Sequence, residues 1–456
     1  MPEPTPSTAA GADGPAPPAP PAPRRGPARG GVLPAERALA PDLARGLMLL
    51  LIVLSNTVFY LWTAEHGPSG WHPTDGALVD RVVQFAMIVG LDLRVFPLFA
   101  FLFGYGMAQV VRRQVAAGGT ERGAVRILRR RSLWLLLFGM LHGALLMSGD
   151  ILGTYAVSSL IIGWLFLRRR DTTLLVWAGV FFVLLVVTEA LNSVTMLEAG
   201  DAAALATTPS TEYYASGESD YPTSVAMRFF TWLFISFGGG LMGFAFHAAM
   251  LLGIWAARRR VLEEPGRHLG LLRTVAVAGL ATAWLGGLPS ALAHVGLIEA
   301  SPAMMVELGP LYTLQSATGL FGGLGYVALF ALAAHALSAR TRRSLPVVAV
   351  AAVGKRSLST YLTHSLLFSP ALAAWGLGLG AHLHSASVAA FAVGVWLVTV
   401  AGAYALERAG RRGPAEVLLR RLMYGRAERR SPAGATGGVG GAAAPQDPGE
   451  AERQGG

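Results

Sequence analysis

Apolar runs of about twenty residues recur from Leu47 to Tyr404, and each is long enough to cross the roughly 30 Å hydrocarbon core of a bilayer as a helix. A chain built this way reads as an all-α, polytopic membrane helix bundle with the lipid bilayer as its first partner. Composition agrees: of 456 residues, 53% are apolar or aromatic and only 14% are charged, too apolar for an ordinary soluble protein of this length. There is no cysteine, which excludes disulfides and thiolate metal sites. The net charge of +10 would suggest nucleic acid in a soluble protein. Here the basic residues flank apolar runs, so membrane orientation accounts for them and no nucleic-acid partner is expected.

Ten spans are placed, roughly at 46–64, 84–111, 131–147, 151–168, 172–191, 226–256, 270–294, 311–336, 356–376 and 386–406. With these boundaries, 34 of the 37 Lys and Arg residues fall before the first span, in every second connection or after the last span. Only Arg81, Arg94 and Arg228 lie elsewhere, at the outer ends of spans two and six. Under the positive-inside rule both termini are cytoplasmic. Residues 1–33 are rich in Pro, Ala, Gly and Arg and have no apolar stretch, so a disordered tail is expected rather than a cleavable signal. Residues 427–456 read as a second tail, 40–408 as the transmembrane domain and 409–426 as a cytoplasmic amphipathic segment. Residues 192–225 form the longest outer loop. It holds five carboxylates and three tyrosines without Lys or Arg, and reads as a cap over a site or as a solvated linker.

Ionisable residues inside spans are functional candidates, because burial without a partner costs several kcal/mol. On span one Arg45 and Asn56 share a face about three turns apart. Arg45 reads as a topology anchor or a ligand-binding cation, Asn56 as an interhelical hydrogen-bonding group or a ligand contact. On span two Asp92 and Arg94 are two residues apart and cannot face each other on one helix. Either the helix breaks near Pro97 or each finds a partner on another span, Asp150 being the partner expected for Arg94. His142 sits near mid-membrane between Gly139 and Gly143, and is a candidate general base or a packed histidine. Asp150 lies in the short outer turn, as an N-cap or a catalytic carboxylate. On a continuing helix His142 and Asp150 would be roughly 12 Å apart, so direct contact is not expected. On span nine Ser357, Tyr361 and His364 form a polar stripe. Lys355 and Arg356 stand at its cytoplasmic N-terminus, where a phosphate-bearing ligand is a candidate and topology is the plainer reading. The catalytic candidates are therefore His142, Asp92 and Asp150. The ligand-binding candidates are Arg45, Asn56, Arg94, Lys355, Arg356, Tyr361 and His364. His382 and His384 alone are too little for a metal site, and His247, His294 and His335 read as background. No Walker motif, nucleophile elbow or nucleic-acid module is present.

DLARGLMLLLIVLSN (42–56), FPLFAFLFGYG (96–106), RRRSLWLLLFGMLHGALLMSGDILGTYA (129–156), VGKRSLSTYLTHSL (353–366) and GPAEVLLRRLMYGR (413–426) together resemble the YeiB-like family of bacterial inner-membrane proteins, whose C-terminal half is a domain of unknown function. The resemblance covers about 40–426. It implies distant kinship with the acyltransferase-3 and heparan glucosaminide acetyltransferase proteins. From that kinship follow an acyl-CoA donor in the cytosol and a glycan or lipid acceptor on the far side. The residues themselves indicate no cofactor. Where the family reads Leu-Thr-Asn-Tyr-Leu-x-Gln-Ser, this chain has Thr360 at the Asn position and His364 at the Gln position, so a role resting on that Asn or Gln does not carry over. Three function classes follow. The first is a membrane acyltransferase with His142 at its centre and Arg45, Lys355 and Arg356 at a cytosolic entrance. The second is a secondary transporter with a midplane polar site. The third is a non-catalytic membrane protein whose polar residues specify helix packing.

Overall fold

The computed structural model describes residues 39–424, and the two predicted tails, 1–33 and 427–456, lie outside the described residues. The chain is an all-α bundle, with no strand among the described residues. Its principal helices are α1 (Leu39–Ser55), α2 (Leu78–Gly90), α3 (Val95–Ala116), α4 (Glu121–Leu145), α5 (Ile151–Leu165), α6 (Asp171–Leu205), α7 (Tyr221–Phe234), α8 (Phe244–Arg258), α9 (Leu269–His294), α10 (Pro310–Ala336), α11 (Leu345–Lys355), α12 (Ser357–Leu372), α13 (Ser385–Arg408) and α14 (Pro414–Tyr424). Seven helical segments are long and apolar enough to cross a membrane: Leu39–Tyr60, Val95–Ala116, Asp171–Leu205, Tyr221–Met242, Pro265–His294, Pro302–Ala336 and Ser385–Arg408. Three shorter apolar helices, α5, α8 and α11, accompany them. These are the helices of a membrane protein.

Several apolar runs that read as single spans are interrupted. The run 84–111 is two helices, α2 and α3, separated at 91–94, where Leu93 takes a left-handed φ of 62° that a γ-branched residue adopts only under constraint. The run 226–256 breaks at 235–243: one turn of π-helix over Ile235–Gly239, then Gly243 with φ −74° and ψ 72°. Glycine-rich Phe237-Gly238-Gly239-Gly240 lowers the cost of leaving the α-helix here. The run at 356–376 begins at Ser357, and it is preceded by a helix over Leu345–Lys355 that the sequence reading left in a connection. The predicted outer loop 192–225 is also corrected. Helix α6 continues to Leu205 through a kink at Gly200 (φ 79°), because Ala202, Ala203 and Ala204 are strong helix formers. The remaining 206–220 contains a further short helix, Ser210–Tyr213.

Close helix approach comes from small residues. A Cβ on Gly104 would collide with the backbone of Met250, and one on Gly253 with the carbonyl of Phe101, so α3 and α8 meet through reciprocal glycines. At the end of this pair Glu263 accepts hydrogen bonds from Tyr105, from Gln109 (2.8 Å) and from Arg112 (2.5 Å), all on α3. Burial alone would raise the Glu263 pKa. The donors on Tyr105, Gln109 and Arg112 outweigh it and hold the carboxyl below its ordinary value.

Two outcomes follow. Gly253→Val should lower the thermal midpoint in detergent by the equivalent of about 1–3 kcal/mol, the usual cost of overpacking, while the same change at Gly179, which has open space around it, should not. Because the Glu263 pKa is depressed in the folded state, its contribution is present above the ordinary value of roughly 4.3 and is lost as pH falls through the folded value. Thermal melts from neutral down to roughly pH 3, well below the ordinary carboxyl value, should therefore show a steeper loss for wild type than for Glu263→Gln. Parallel curves would show that the carboxylate is not tied to α3.

Candidate functional site

The central cluster begins with the hairpin between α4 and α5. Helix α4 stops at Leu145, the chain turns over Leu146–Gly149, and Asp150 opens α5 as its N-cap, accepting from Gly153 N–H at 2.6 Å. The reversal carries Asp150 back alongside α4. A Cβ on Gly139 would collide with Asp150 Oδ2 and Gly153 N, so the bare glycine gives the carboxylate its seat. The second oxygen, Oδ1, lies 2.8 Å from His142 Nδ1. This has the separation of an ion pair but not the alignment of a good hydrogen bond. The expectation that His142 and Asp150 do not touch is thus overturned, because it assumed a continuing helix where there is a hairpin.

Helix α12 supplies the rest. Tyr361 and Ser365 are four residues apart and share a face. The Tyr361 hydroxyl donates to Asp150 Oδ1 and accepts from Ile151 N–H, both at 3.3 Å. Its ring centroid is 4.9 Å from that of His142. Ser365 Oγ lies 2.7 Å from His142 Nε2. All four side chains are buried, at 1–5% exposure. A carboxylate only accepts hydrogen bonds, so the ring proton belongs on Nδ1, leaving Nε2 to accept from the Ser365 hydroxyl. The order carboxylate, imidazole, hydroxyl is that of a nucleophile activated by an oriented base.

A small cavity of about 10 Å³ adjoins this cluster, lined by Ile52, Val53, Asn56, Met147, Tyr361, His364, Ser365 and Phe368. It has the volume for about one water. His364 Nε2 lies 2.9 Å from Thr399 Oγ1, whose hydroxyl donates to the Trp396 carbonyl, while His364 Nδ1 is buried without a hydrogen-bond partner. Four sequence-selected residues, His142, Asp150, Tyr361 and His364, are therefore brought together, with Asn56 across the cavity. Ser365 was not selected. Its signal was its place one turn after Tyr361 on the same stripe.

Asp92 and Arg94 stand apart from this cluster. Asp92 Oδ2 lies 2.7 Å from His72 Nε2. Arg94, fully buried, donates to the carbonyls of Ile88 (3.1 Å), Asp92 and Ala283 (2.5 Å). The expected Arg94–Asp150 pair is not formed, since Arg94 serves the loose carbonyls at the 91–94 break and Asp150 serves His142. A second cavity of about 50 Å³ lies here, with Trp71, His72, Asp92, His294, Tyr312 and Gln315 among its walls. His72 Nδ1 is buried without a hydrogen-bond partner. His294, read as background from the sequence, donates its Nε2 proton to the Pro73 carbonyl (3.0 Å). Among the described residues no group of His, Asp and Glu is arranged to hold a metal ion.

The cations expected on the cytoplasmic side are engaged internally. Lys355 and Arg356 both contact Glu407, at 2.5 and 2.8 Å, and Arg356 also donates to the Arg411 carbonyl. Arg45 pairs with Asp42 at 3.3 Å. The N-terminus of α12, the expected phosphate seat, is filled by Glu416 of α14, which accepts from Leu358 N–H (2.8 Å) and Ser359 N–H (3.1 Å). The reason is the one that suggested a phosphate: a helix N-terminus favours an anion, and the chain supplies its own.

The matches to known proteins fit this architecture. Residues 256–426 match the family described as a protein of unknown function (DUF418). The uncharacterized protein YxaH of Bacillus subtilis is 24% identical over 413 residues, 86% of this chain and 95% of the relative. The uncharacterized protein YeiB of Escherichia coli is 25% identical over 420 residues, 85% of this chain and 96% of the relative. No solved structure matches. The DUF418 match spans α9 to α14, and the two full-length relatives align along most of this chain, so the chain is similar to these uncharacterised proteins over both its halves.

Proposed function

We propose that this protein is a membrane-embedded acyltransferase of the bacterial plasma membrane, with both termini cytoplasmic, that moves an acyl group onto an acceptor hydroxyl. The observation that carries this reading is the buried contact chain Asp150–His142–Ser365. A buried carboxylate of this kind persists only when its lone pairs are met; Asp150 is met by Gly153, Tyr361 and His142. It fixes the imidazole tautomer and stabilises the imidazolium formed when Nε2 takes a proton, so His142 acts as general base and then as general acid. Burial excludes bulk water, which would otherwise compete as acceptor. Orientation rests on the alternation of basic and non-basic connections. Acyl-CoA is the proposed donor and a glycan or lipid hydroxyl the proposed acceptor. Because Lys355, Arg356 and the α12 N-terminus are engaged by Glu407 and Glu416, they are given no part in donor binding.

A second reading is a secondary transporter. The observations favouring it are the breaks at 91–94 and 235–243, since discontinuous helices are where such proteins bind substrate, and the His72–Asp92 pair beside the 50 Å³ cavity. Proton-gradient-dependent uptake into proteoliposomes that is lost in Asp92→Asn, with His142→Ala unaffected, would replace the first reading by this one.

The test of the first reading supplies labelled acyl-CoA and membrane extract to purified protein in liposomes. Wild type should transfer label, and His142→Ala should reduce it by about 10²-fold or more, the usual worth of a positioned base. Asp150→Asn should do the same with the fold intact. Equal transfer by His142→Ala and wild type would sink the reading. Gly139→Ala, whose methyl must displace Asp150, should lower transfer and stability together, by about 1–3 kcal/mol in the latter.

A further inference from the structure

We infer that Ser365 is the acyl-carrying nucleophile, so that transfer proceeds in two half-reactions through an acyl-serine on α12. This rests on the reading of Asp150 and His142 as an oriented base and adds to it a covalent step. Three observations converge. The Ser365 hydroxyl lies 2.7 Å from the free nitrogen of the imidazole, the separation at which a base takes a proton directly. Ser365 also lines the small cavity, whereas His142 does not, so among the triad the serine oxygen is the group a ligand in that cavity would meet. The wall around it is apolar at Ile52, Val53, Met147 and Phe368 and polar at Asn56 and His364. Asn56 lines the cavity and its side chain does not cap the helix that follows it, so its amide N–H groups can donate to a carbonyl oxygen that becomes negative.

In the first half-reaction Ser365 Oγ bonds to the carbonyl carbon of a thioester while its proton passes to His142 Nε2. The C–S bond then breaks and the departing sulfur takes that proton, releasing a thiol. In the second, an acceptor hydroxyl gives its proton to His142 Nε2 and bonds to the acyl carbon. The bond to Oγ breaks and Ser365 recovers the proton. No redox change occurs and every proton returns. Asn56 is a catalytic residue in this scheme, whereas Tyr361, whose hydroxyl is engaged by Asp150 and Ile151 N–H and whose ring lies against His142, is a positioning residue.

The test uses methanesulfonyl fluoride, a compact serine-directed reagent, on full-length protein in detergent or liposomes. Peptide mass spectrometry should place one methanesulfonyl group on Ser365. Labelling should be at least tenfold slower in His142→Ala and in Asp150→Asn, with folding of each variant checked by size exclusion and thermal melt. A brief pulse of labelled acyl-CoA followed by acid denaturation should leave label on the Ser365 peptide, and Asn56→Ala should slow its appearance without changing the sulfonylation of unrelated serines. Folded wild type that is sulfonylated elsewhere but not on Ser365 would overturn the proposal, as would Ser365→Ala transferring acyl groups at the wild-type rate. Those results leave the His142 base reading standing. Sulfonylation of Ser365 that depends on His142, without any transfer from acyl-CoA, would uphold the nucleophile and remove the donor named under the acyltransferase reading.

Discussion

A bundle in lipid has no solvent to satisfy a backbone group that its helix has let go, and this chain lets several go inside its apolar layer. Buried arginines answer that constraint. Arg94 covers the carbonyls of Ile88 and Asp92 at the α2–α3 break and reaches across to Ala283 of α9. Arg228 covers Ala144 at 3.0 Å and Leu145 at 3.4 Å, the loose end of α4. Arg356 covers Ala352 of α11 and Arg411 beyond α13. Each is less than a tenth exposed. A guanidinium suits the task where an ammonium does not, because its five donors spread in a plane and reach carbonyls on two segments at once. Burying the charge costs several kcal/mol, offset here by hydrogen bonds that lipid cannot provide, by Glu407 beside Arg356, and by the faces of Tyr221 and Trp375 beside Arg228.

The geometry around His142 depends on the second of these. Helix α4 must end within reach of α5, or Asp150 would lie a helix length away. Arg228 and the Tyr221 hydroxyl, which donates to Leu145 at 3.0 Å, hold that end in place. Trp232, on the same helix as Arg228, occupies the space left open by Gly143. The segment that precedes α7 is packed against the bundle at two points: Tyr214 stacks on Phe59 at 4.0 Å, and the Ser216 carbonyl accepts from Ala374 N–H. Substituting Arg228 would therefore be felt at His142 through backbone position, without any direct contact between the two.

What the residues disclosed in advance was whatever local pattern determines. Apolar length gave the all-α bundle, and Asp150 as an N-cap followed from residue type. Helix breaks were less visible. A break near Pro97 is one of the two readings open for Asp92 and Arg94; it falls at 91–94, between Gly90 and Pro97, and its loose carbonyls are met locally by Arg94 and from α10 by Gln315 and Tyr326. The pairings were invisible for a different reason. His142 and Ser365 are 223 residues apart, and Glu416 reaches the α12 N-terminus from 58 residues downstream; nothing in the spacing of one segment encodes its partner in another. Lys355 and Arg356 invited a phosphate because a helix N-terminus and two cations favour an anion. The physics was right and the occupant was internal.

Two Asp–His pairs are buried in this bundle, and their difference bears on what each can do. In the Asp92–His72 pair the far imidazole nitrogen, Nδ1, has no partner, and the adjoining 50 Å³ cavity has aromatic walls at Trp71 and Tyr312. Such a pair can accept a hydrogen bond from a ligand, but it offers no nucleophile of its own. In the Asp150–His142 pair the far nitrogen is occupied by the Ser365 hydroxyl. An imidazole in contact with a hydroxyl gains its proton as the oxygen attacks, so charge separates only within a preformed, water-excluded set of contacts. On the proposed acyltransferase reading, the second pair is therefore the one that carries the covalent step.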